Sequence, residues 1–150
     1  MATRFYHFER RKPNAVLQGV LADALSRGER AAAQFADAAA LAKADEELWT
    51  LDAASFLPHG GAGDADPEGQ PIYLTIGAEA PNGATLRVLM PGVDPAAALA
   101  APGAPTLVVL FDGADPTARE EARAQWSALK AAGVELSYWR EGEAGWAQLR

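Results

Sequence analysis

The sequence predicts a three-layer α/β/α domain built around a mostly parallel sheet, and three observations indicate this fold class. Short apolar segments alternate with amphipathic helical segments along the whole chain, which is the order of elements in βαβ proteins. The segment from Thr106 to Phe111 is apolar on both faces, as a central strand of a parallel sheet is. The length of 150 residues suits one domain, so residues 1–150 are expected to form a single unit.

The first part of the chain is expected to form two strands, each followed by a helix. Phe5 to Phe8 is a short aromatic run that predicts the first strand. Pro13 opens a helical pattern with apolar residues at three- and four-residue spacing, and Gly28 stands where a C-terminal cap belongs. Ala31 to Phe35 predicts the second strand from its place between two helices, and Asp37 can cap the helix that follows.

A change of composition marks the middle of the domain. Glycine and proline are concentrated between Asp52 and Pro71, which predicts a long loop over residues 52–71. Long loops in compact domains are usually functional or disordered.

The remaining part of the chain is expected to alternate strands and helices again. The predicted strands are Ile72–Ile76, Leu86–Met90 after a turn at Pro81-Asn82-Gly83, Thr106–Phe111 and Val134–Trp139, with a short tail that contains Trp146 and Leu149. Asp94-Pro95 and Asp115-Pro116 carry the same helix start, a capping aspartate followed by proline at the first helical position. The first of these helices is expected to reach Ala101, and the second about Ala132, before Gly133.

Composition and charge exclude several functions. Thirteen Lys and Arg against twenty Asp and Glu leave a net charge of −7, which disfavours extended contact with DNA phosphates. Without cysteine, the chain cannot form disulfides, thiolate zinc sites or a cysteine nucleophile. Because no apolar stretch is long enough to span a membrane and the N-terminal residues lack a signal-peptide pattern, we expect a cytoplasmic protein.

The motifs of nucleotide-binding and hydrolytic enzymes are mostly missing. The phosphate-binding Gly-x-x-x-x-Gly-Lys loop and the Gly-x-Ser-x-Gly elbow are absent, and Gly60-Gly61-Ala62-Gly63 neither follows a predicted strand nor opens a helix. The alternating acidic residues at 64, 66 and 68 are interrupted by Pro67 and lack the later glutamate of a calcium loop. We therefore expect no metal, no cofactor and no catalytic residue.

His59 is the one residue that an enzyme hypothesis would use. It is more simply a loop histidine that fixes the turn at Pro58, because no serine or aspartate can be paired with it from the sequence. A nucleotide-binding or hydrolytic enzyme of the doubly wound class, using the His59 loop, remains the alternative hypothesis.

The helix from Asp115 carries a stripe of cations with an indole among them. Its members recur at spacings of four, three and four residues: Arg119, Arg123, Trp126 and Lys130. Such a stripe suits a ligand with carboxylates for the cations and an apolar group for an aromatic pocket. Glu120 and Glu121 leave a simpler interpretation open, in which the stripe is a solvated helix face.

Another group of residues carries a resemblance to a known family. Leu48-Trp49 ends the predicted second helix, and Ser55-Phe56-Leu57-Pro58-His59-Gly60 follows it, with Phe5-Tyr6 near the start of the chain. In these residues the chain resembles the chi subunit of bacterial DNA polymerase III, whose motif is Leu-Trp, then Ser-Phe-x-Pro-His, then a glycine-rich loop. The resemblance covers essentially the whole chain, through Phe111-Asp112-Gly113 and the arginine-bearing last helix.

The resemblance implies an accessory subunit in DNA replication without catalysis of its own, within a complex that is a DNA-directed DNA polymerase. Chi proteins link the clamp loader to single-stranded DNA-binding protein by binding the acidic C-terminal tail of that protein, which ends in Pro-Phe. The resemblance implies that Phe56 and Phe111 are the apolar walls of the family's tail site. It also implies that Arg119 and Arg123 are its basic contacts and that Trp126 is its aromatic position.

One position of the chain departs from the family's pattern, and partners other than the tail also have to be weighed. Ser127 stands where the family can have a lysine, and Lys130, about one turn on, is expected to replace that cation. A psi subunit or the clamp loader is a further partner that the resemblance implies. Direct binding of single-stranded DNA through Trp126, Trp139 and the Arg10-Arg11-Lys12 cluster is disfavoured by the acidic total, and no membrane contact is expected.

Overall fold

The computed structural model of the chain describes residues 2–9, 11–50, 60–61, 71–77, 83–95, 106–142 and 145–150. Its helices of several turns are α1 Pro13–Ser26, α2 Ala38–Thr50 and α3 Pro116–Ala131. Its strands are β1 Ala2–Phe8, β2 Ala31–Gln34, β3 Gly60–Gly61, β4 Ile72–Thr75, β5 Leu86–Leu89, β6 Thr106–Asp112, β7 Glu135–Gly142 and β8 Gly145–Gln148. The predicted α/β class is confirmed.

The strands form one sheet in the order β3-β4-β2-β5-β6-β1-β7-β8. Every neighbouring pair is parallel except β7 and β8, which are antiparallel. The predicted central strand is confirmed, because β6 lies between β5 and β1 with residues 107–111 buried.

The two faces of the sheet carry separate cores. Along β1 the side chains alternate, so that Tyr6 and Phe8 pack with α1 while Phe5 packs with α3. Residues of α2 join the core beneath α1, which places α1 and α2 in one layer and α3 in the other. The three-layer arrangement is therefore confirmed.

The ends of α3 are fixed by the cap residues that the sequence indicates. Asp115 Oδ1 accepts a hydrogen bond from the Thr117 backbone N–H at 3.0 Å. At the other end Gly133, with φ of 81°, donates its N–H to the Lys130 carbonyl at 3.1 Å. Gly28 ends α1 in the same way with φ of 74°. Because both ends of α3 are fixed, the positions of its side chains relative to the sheet are well defined.

The prediction of a tail after the strand at 134–139 was wrong. Strand β7 continues to Gly142, and the tail returns as β8, with Trp146 opposite Glu141. The Trp146 ring stacks on Tyr6 with 4.5 Å between ring centroids. A four-residue segment that contains glycine, alanine and glutamine has little strand propensity, so its structure depends on pairing with β7 and on this aromatic contact.

For several predicted segments, the structure describes only some of the residues. Within the predicted loop, Gly60–Gly61 form a two-residue strand beside β4. The rest of that loop, the turn residues Pro81 and Asn82, and residues 96–101 of the helix expected after Pro95 lie outside the described residues. In the described ranges, no helix combines the length and hydropathy needed to cross a membrane.

Candidate functional site

A cleft of about 310 Å³ lies between α3 and the strands β1, β6 and β7. Its lining combines apolar rings with arginines: Phe5, Phe111, Arg119, Ala122, Arg123, Trp126, Tyr138, Leu149 and Arg150. A cleft with an apolar floor and a few convergent polar groups is the usual form of a ligand site.

The floor of the cleft is a cluster of rings that hold one another in place. Phe5 meets Trp126 edge to face, with 5.4 Å between centroids, and Trp126 meets Tyr138 at 6.2 Å. Phe111 lies 6.1 Å from Tyr138. Because Phe5 and Phe111 are buried in the sheet, the floor is a preformed surface for an apolar side chain.

Helix α3 presents two of the three arginines at the rim. Ala122 and Leu129 are buried against the sheet, so the positions beside Ala122 on the helix surface lie at the margin of the core. Arg119 and Arg123 occupy those positions one turn apart and are exposed.

The third arginine comes from the end of the hairpin formed by β7 and β8. The Leu149 N–H donates to the Tyr138 carbonyl at 2.7 Å, and the Tyr138 N–H donates to the Arg150 carbonyl at 3.1 Å. This pairing continues the hairpin past β8 and brings Arg150 to the cleft.

The three guanidinium groups are available to a ligand. Within the part of the chain that the structure describes, none of Arg119, Arg123 and Arg150 forms an ion pair within 4.0 Å. Neither Glu120 nor Glu121 forms an ion pair with them, although both lie between Arg119 and Arg123 in the sequence. Unpaired guanidinium groups around an apolar floor favour a ligand that carries carboxylates.

Comparison with known proteins identifies the family. A family model described as DNA polymerase III chi subunit, HolC, matches residues 1–137. The chain belongs to the DNA polymerase III chi subunit family. It is also similar to "Probable DNA polymerase III subunit chi" of Rickettsia prowazekii (strain Madrid E), with 38% identity over 55 residues. That alignment covers 37% of this chain and 33% of the relative, so the chain matches about a third of the relative's length.

The family is described as the chi subunit of DNA polymerase III, and the relative carries the same description. Several residues on which the resemblance rests are only partly placed by the structure. Leu48 and Trp49 lie in the last turns of α2, in the layer opposite the cleft, and their side chains lie outside the described residues. Ser55, Pro58 and His59 lie outside them entirely, and so does the loop on which the enzyme hypothesis depends.

The structure brings together four of the predicted site residues, Phe111, Arg119, Arg123 and Trp126. Lys130 does not line the cleft. It lies on the same stripe of α3, but seven residues beyond Arg123, which is about 10 Å along the helix axis. Phe56 lies outside the described residues.

Apart from Ala122 on α3, four residues that line the cleft were missed from the sequence: Phe5, Tyr138, Leu149 and Arg150. Phe5 and Tyr138 are register partners on β1 and β7, a pairing that no local pattern reveals. Leu149 and Arg150 reach the cleft only because β8 forms. The matched part of the family model ends at residue 137, so Tyr138, Leu149 and Arg150 lie beyond it.

A polar network lies behind the cleft at the ends of β1 and β7. His7 Nδ1 forms a hydrogen bond with the Tyr138 hydroxyl, and His7 Nε2 lies 2.6 Å from Glu9 Oε1. Arg140 adds a contact to Glu9 at 3.3 Å. Among the described residues no group of three or more His, Cys, Asp or Glu side chains is placed to hold a metal ion.

The network shifts the pKa values of two of its members. Burial raises the pKa of Tyr138 above its ordinary value, and nearby arginines oppose that rise. The hydrogen bond with His7 lowers the pKa of Glu9, against the opposing effect of desolvation, and Arg140 lowers it further. At neutral pH the Tyr138 hydroxyl is therefore protonated and Glu9 is ionised.

Proposed function

We propose that this chi family member binds the acidic C-terminal tail of single-stranded DNA-binding protein, which ends in Pro-Phe, and so links that protein to the clamp loader. The observation that supports it is the cleft, where Arg119, Arg123 and Arg150 surround an apolar floor without ion pairs in the described part of the chain. A peptide with a terminal phenyl ring and several carboxylates matches both features.

We expect the ligand to bind with its terminal ring on the floor of the cleft and its carboxylates at the rim. Its terminal ring packs on the floor, against Phe111 and Trp126, where edge-to-face contacts with aromatic side chains are available. Its α-carboxylate and preceding acidic side chains meet the guanidinium groups at the rim. A short tail buries a small interface, for which an affinity of roughly micromolar, about −8 kcal/mol, is expected. Because the cations are exposed, salt should weaken the binding.

The proposed role is that of an adaptor without catalysis, cofactor or direct contact with DNA. A net charge of −7 repels the DNA backbone while leaving a local cationic cleft for an acidic peptide. The adaptor acts in the cytoplasm at the replisome. A psi subunit or the clamp loader is its second partner.

Titration calorimetry with a synthetic acidic peptide ending in Pro-Phe tests the proposal. We expect micromolar binding that is lost when the terminal Phe is removed and weakened at least tenfold by Arg123→Ala. Lys130→Ala is the matched control, because it removes an exposed cation from the same helix outside the cleft. It should change the affinity less than twofold. If the two variants lose the same affinity, the peptide binds through the charge of the helix and not in the cleft.

A further inference from the structure

The polar network of His7, Tyr138, Glu9 and Arg140 lies behind the cleft and can influence which ligands the cleft binds. His7 is 7% exposed, and its ring lies against two cleft residues, 5.1 Å from Phe111 and 5.9 Å from Tyr138 between centroids. Gly113 packs directly on the His7 ring. The histidine therefore cannot contact a ligand itself, and any effect it has must pass through a neighbour.

The hydrogen bonds of the network have a definite direction when the His7 ring is neutral. Ionised Glu9 only accepts, so the proton of the neutral His7 ring lies on Nε2 and points to Glu9. Nδ1 is then an acceptor, and the Tyr138 hydroxyl donates to it. In this state the Tyr138 oxygen can offer only lone pairs to the cleft.

Protonation of His7 reverses one of these bonds. Both ring nitrogens of an imidazolium donate, so Nδ1–H donates to the Tyr138 oxygen. The hydroxyl proton of Tyr138 is then free to donate to another acceptor. Tyr138 lines the cleft, and its hydroxyl lies within electrostatic reach of Arg119 and Arg150, which line the cleft too, so the released proton supplies a donor that the neutral state lacks.

We propose that His7 is a positioning residue for the cleft, which sets whether the Tyr138 hydroxyl donates to an acidic ligand or accepts from a basic one. The inference rests on the proposed function, because it takes the ligand to be a peptide rich in carboxylates. Among the described residues, the other charged groups around the pair are Glu9 just after β1, Arg140 and Glu141 on β7, Arg119 on α3 and Arg150 after β8.

The test is a pH series of affinities for the acidic Pro-Phe peptide, from about pH 8 to about pH 5.5, where peptide carboxylates stay ionised. The wild-type chain should bind about three- to tenfold more tightly at the acidic end, the usual effect of a hydrogen bond to a charged group. Tyr138→Phe keeps the ring and the His7 charge but removes the hydroxyl, so its affinity should vary less than twofold. A pH dependence that survives in Tyr138→Phe would show that the His7 charge acts directly, and would overturn the inference.

Two controls separate this inference from other effects. His59 is the only other histidine of the chain, and His59→Gln should keep the wild-type pH dependence. A pH dependence that disappears in His59→Gln would assign the effect to that residue and overturn the inference. Failure of the peptide to bind at any pH overturns the proposed function and this inference with it. If the peptide binds, and its affinity changes with pH in Tyr138→Phe as it does in the wild-type chain, the inference alone is overturned.

The direction of the hydrogen bonds can also be measured without a ligand. Nitrogen-15 NMR of the histidine rings in the free protein should show the neutral form of His7 as the Nε2–H tautomer, and Tyr138→Phe should shift the Nδ1 resonance. A neutral Nδ1–H tautomer would contradict the assigned directions and overturn the inference.

Discussion

Gly113 is the position where a single methyl group should do the most damage to the site. A Cβ built on Gly113 would lie 1.6 Å from His7 Nε2, far inside any van der Waals contact. The His7 ring is buried between Phe111 and Tyr138, so it can give way only by leaving its place. Overpacking of this kind costs about 1–3 kcal/mol, and each lost hydrogen bond of His7 about 1 kcal/mol more. We therefore expect Gly113→Ala to lower the free energy of unfolding by about 3 kcal/mol.

Urea denaturation of four variants measures this effect and its cause. Gly19→Ala is the matched control, because a Cβ at that exposed position in α1 meets only Arg11 at 3.5 Å. It should raise the free energy of unfolding by about 0.5 kcal/mol, since alanine is the better helix former. In a His7→Ala background the cost of Gly113→Ala should fall by about 2 kcal/mol, because the clash is gone. The same cost in both backgrounds would refute the reasoning.

Further predictions concern the cap, the hairpin and the acidic partner of His7. Asp115→Ala should lower the free energy of unfolding by about 1 kcal/mol in the same assay, because the first turn of α3 loses its side-chain acceptor. Trp146→Ala should lower the free energy of unfolding by about 2 kcal/mol. It should also weaken peptide binding in calorimetry, because β8 brings Arg150 to the cleft. An unchanged affinity would show that the hairpin does not contribute to the site. The folded-state pKa of Glu9 is lowered, so its contribution to stability exists above the unfolded-state pKa and is lost as pH falls through the folded-state pKa. Glu9→Gln should therefore flatten the acid side of the stability profile, and an unchanged profile would contradict the assigned contact.

Local signals in the sequence accounted for most of the sheet and for the helix that carries the site. The capping aspartates, the proline after Asp115 and the terminal glycine each act over a few residues, so a single chain reveals them. The spacing of four, three and four residues placed Arg119, Arg123, Trp126 and Lys130 on one stripe for the same reason. The stripe did not show where the cleft stops, because only packing against the sheet decides that Arg123 lines it and Lys130 does not.

The other wall of the cleft depends on contacts between distant parts of the chain. Phe5 and Tyr138 become neighbours through strand pairing across more than a hundred residues. The position of Arg150 depends on β8, whose sequence has a weak propensity for strand structure. This strand forms because it pairs with β7 and because Trp146 stacks on Tyr6. The network around His7 was missed because the histidine alone looks like an ordinary strand residue.

The central claim is that the acidic Pro-Phe tail binds in the cleft beside Trp126. An NMR titration that follows the four tryptophan indole N–H signals tests it most directly, with Trp126→Phe used to assign the Trp126 signal. We predict that the Trp126 indole and the Tyr138 and Arg123 amides shift on addition of the peptide, and that they stay in place when the terminal Phe is removed. Shifts confined to the layer of α1 and α2, with Trp126 unmoved, would contradict the account.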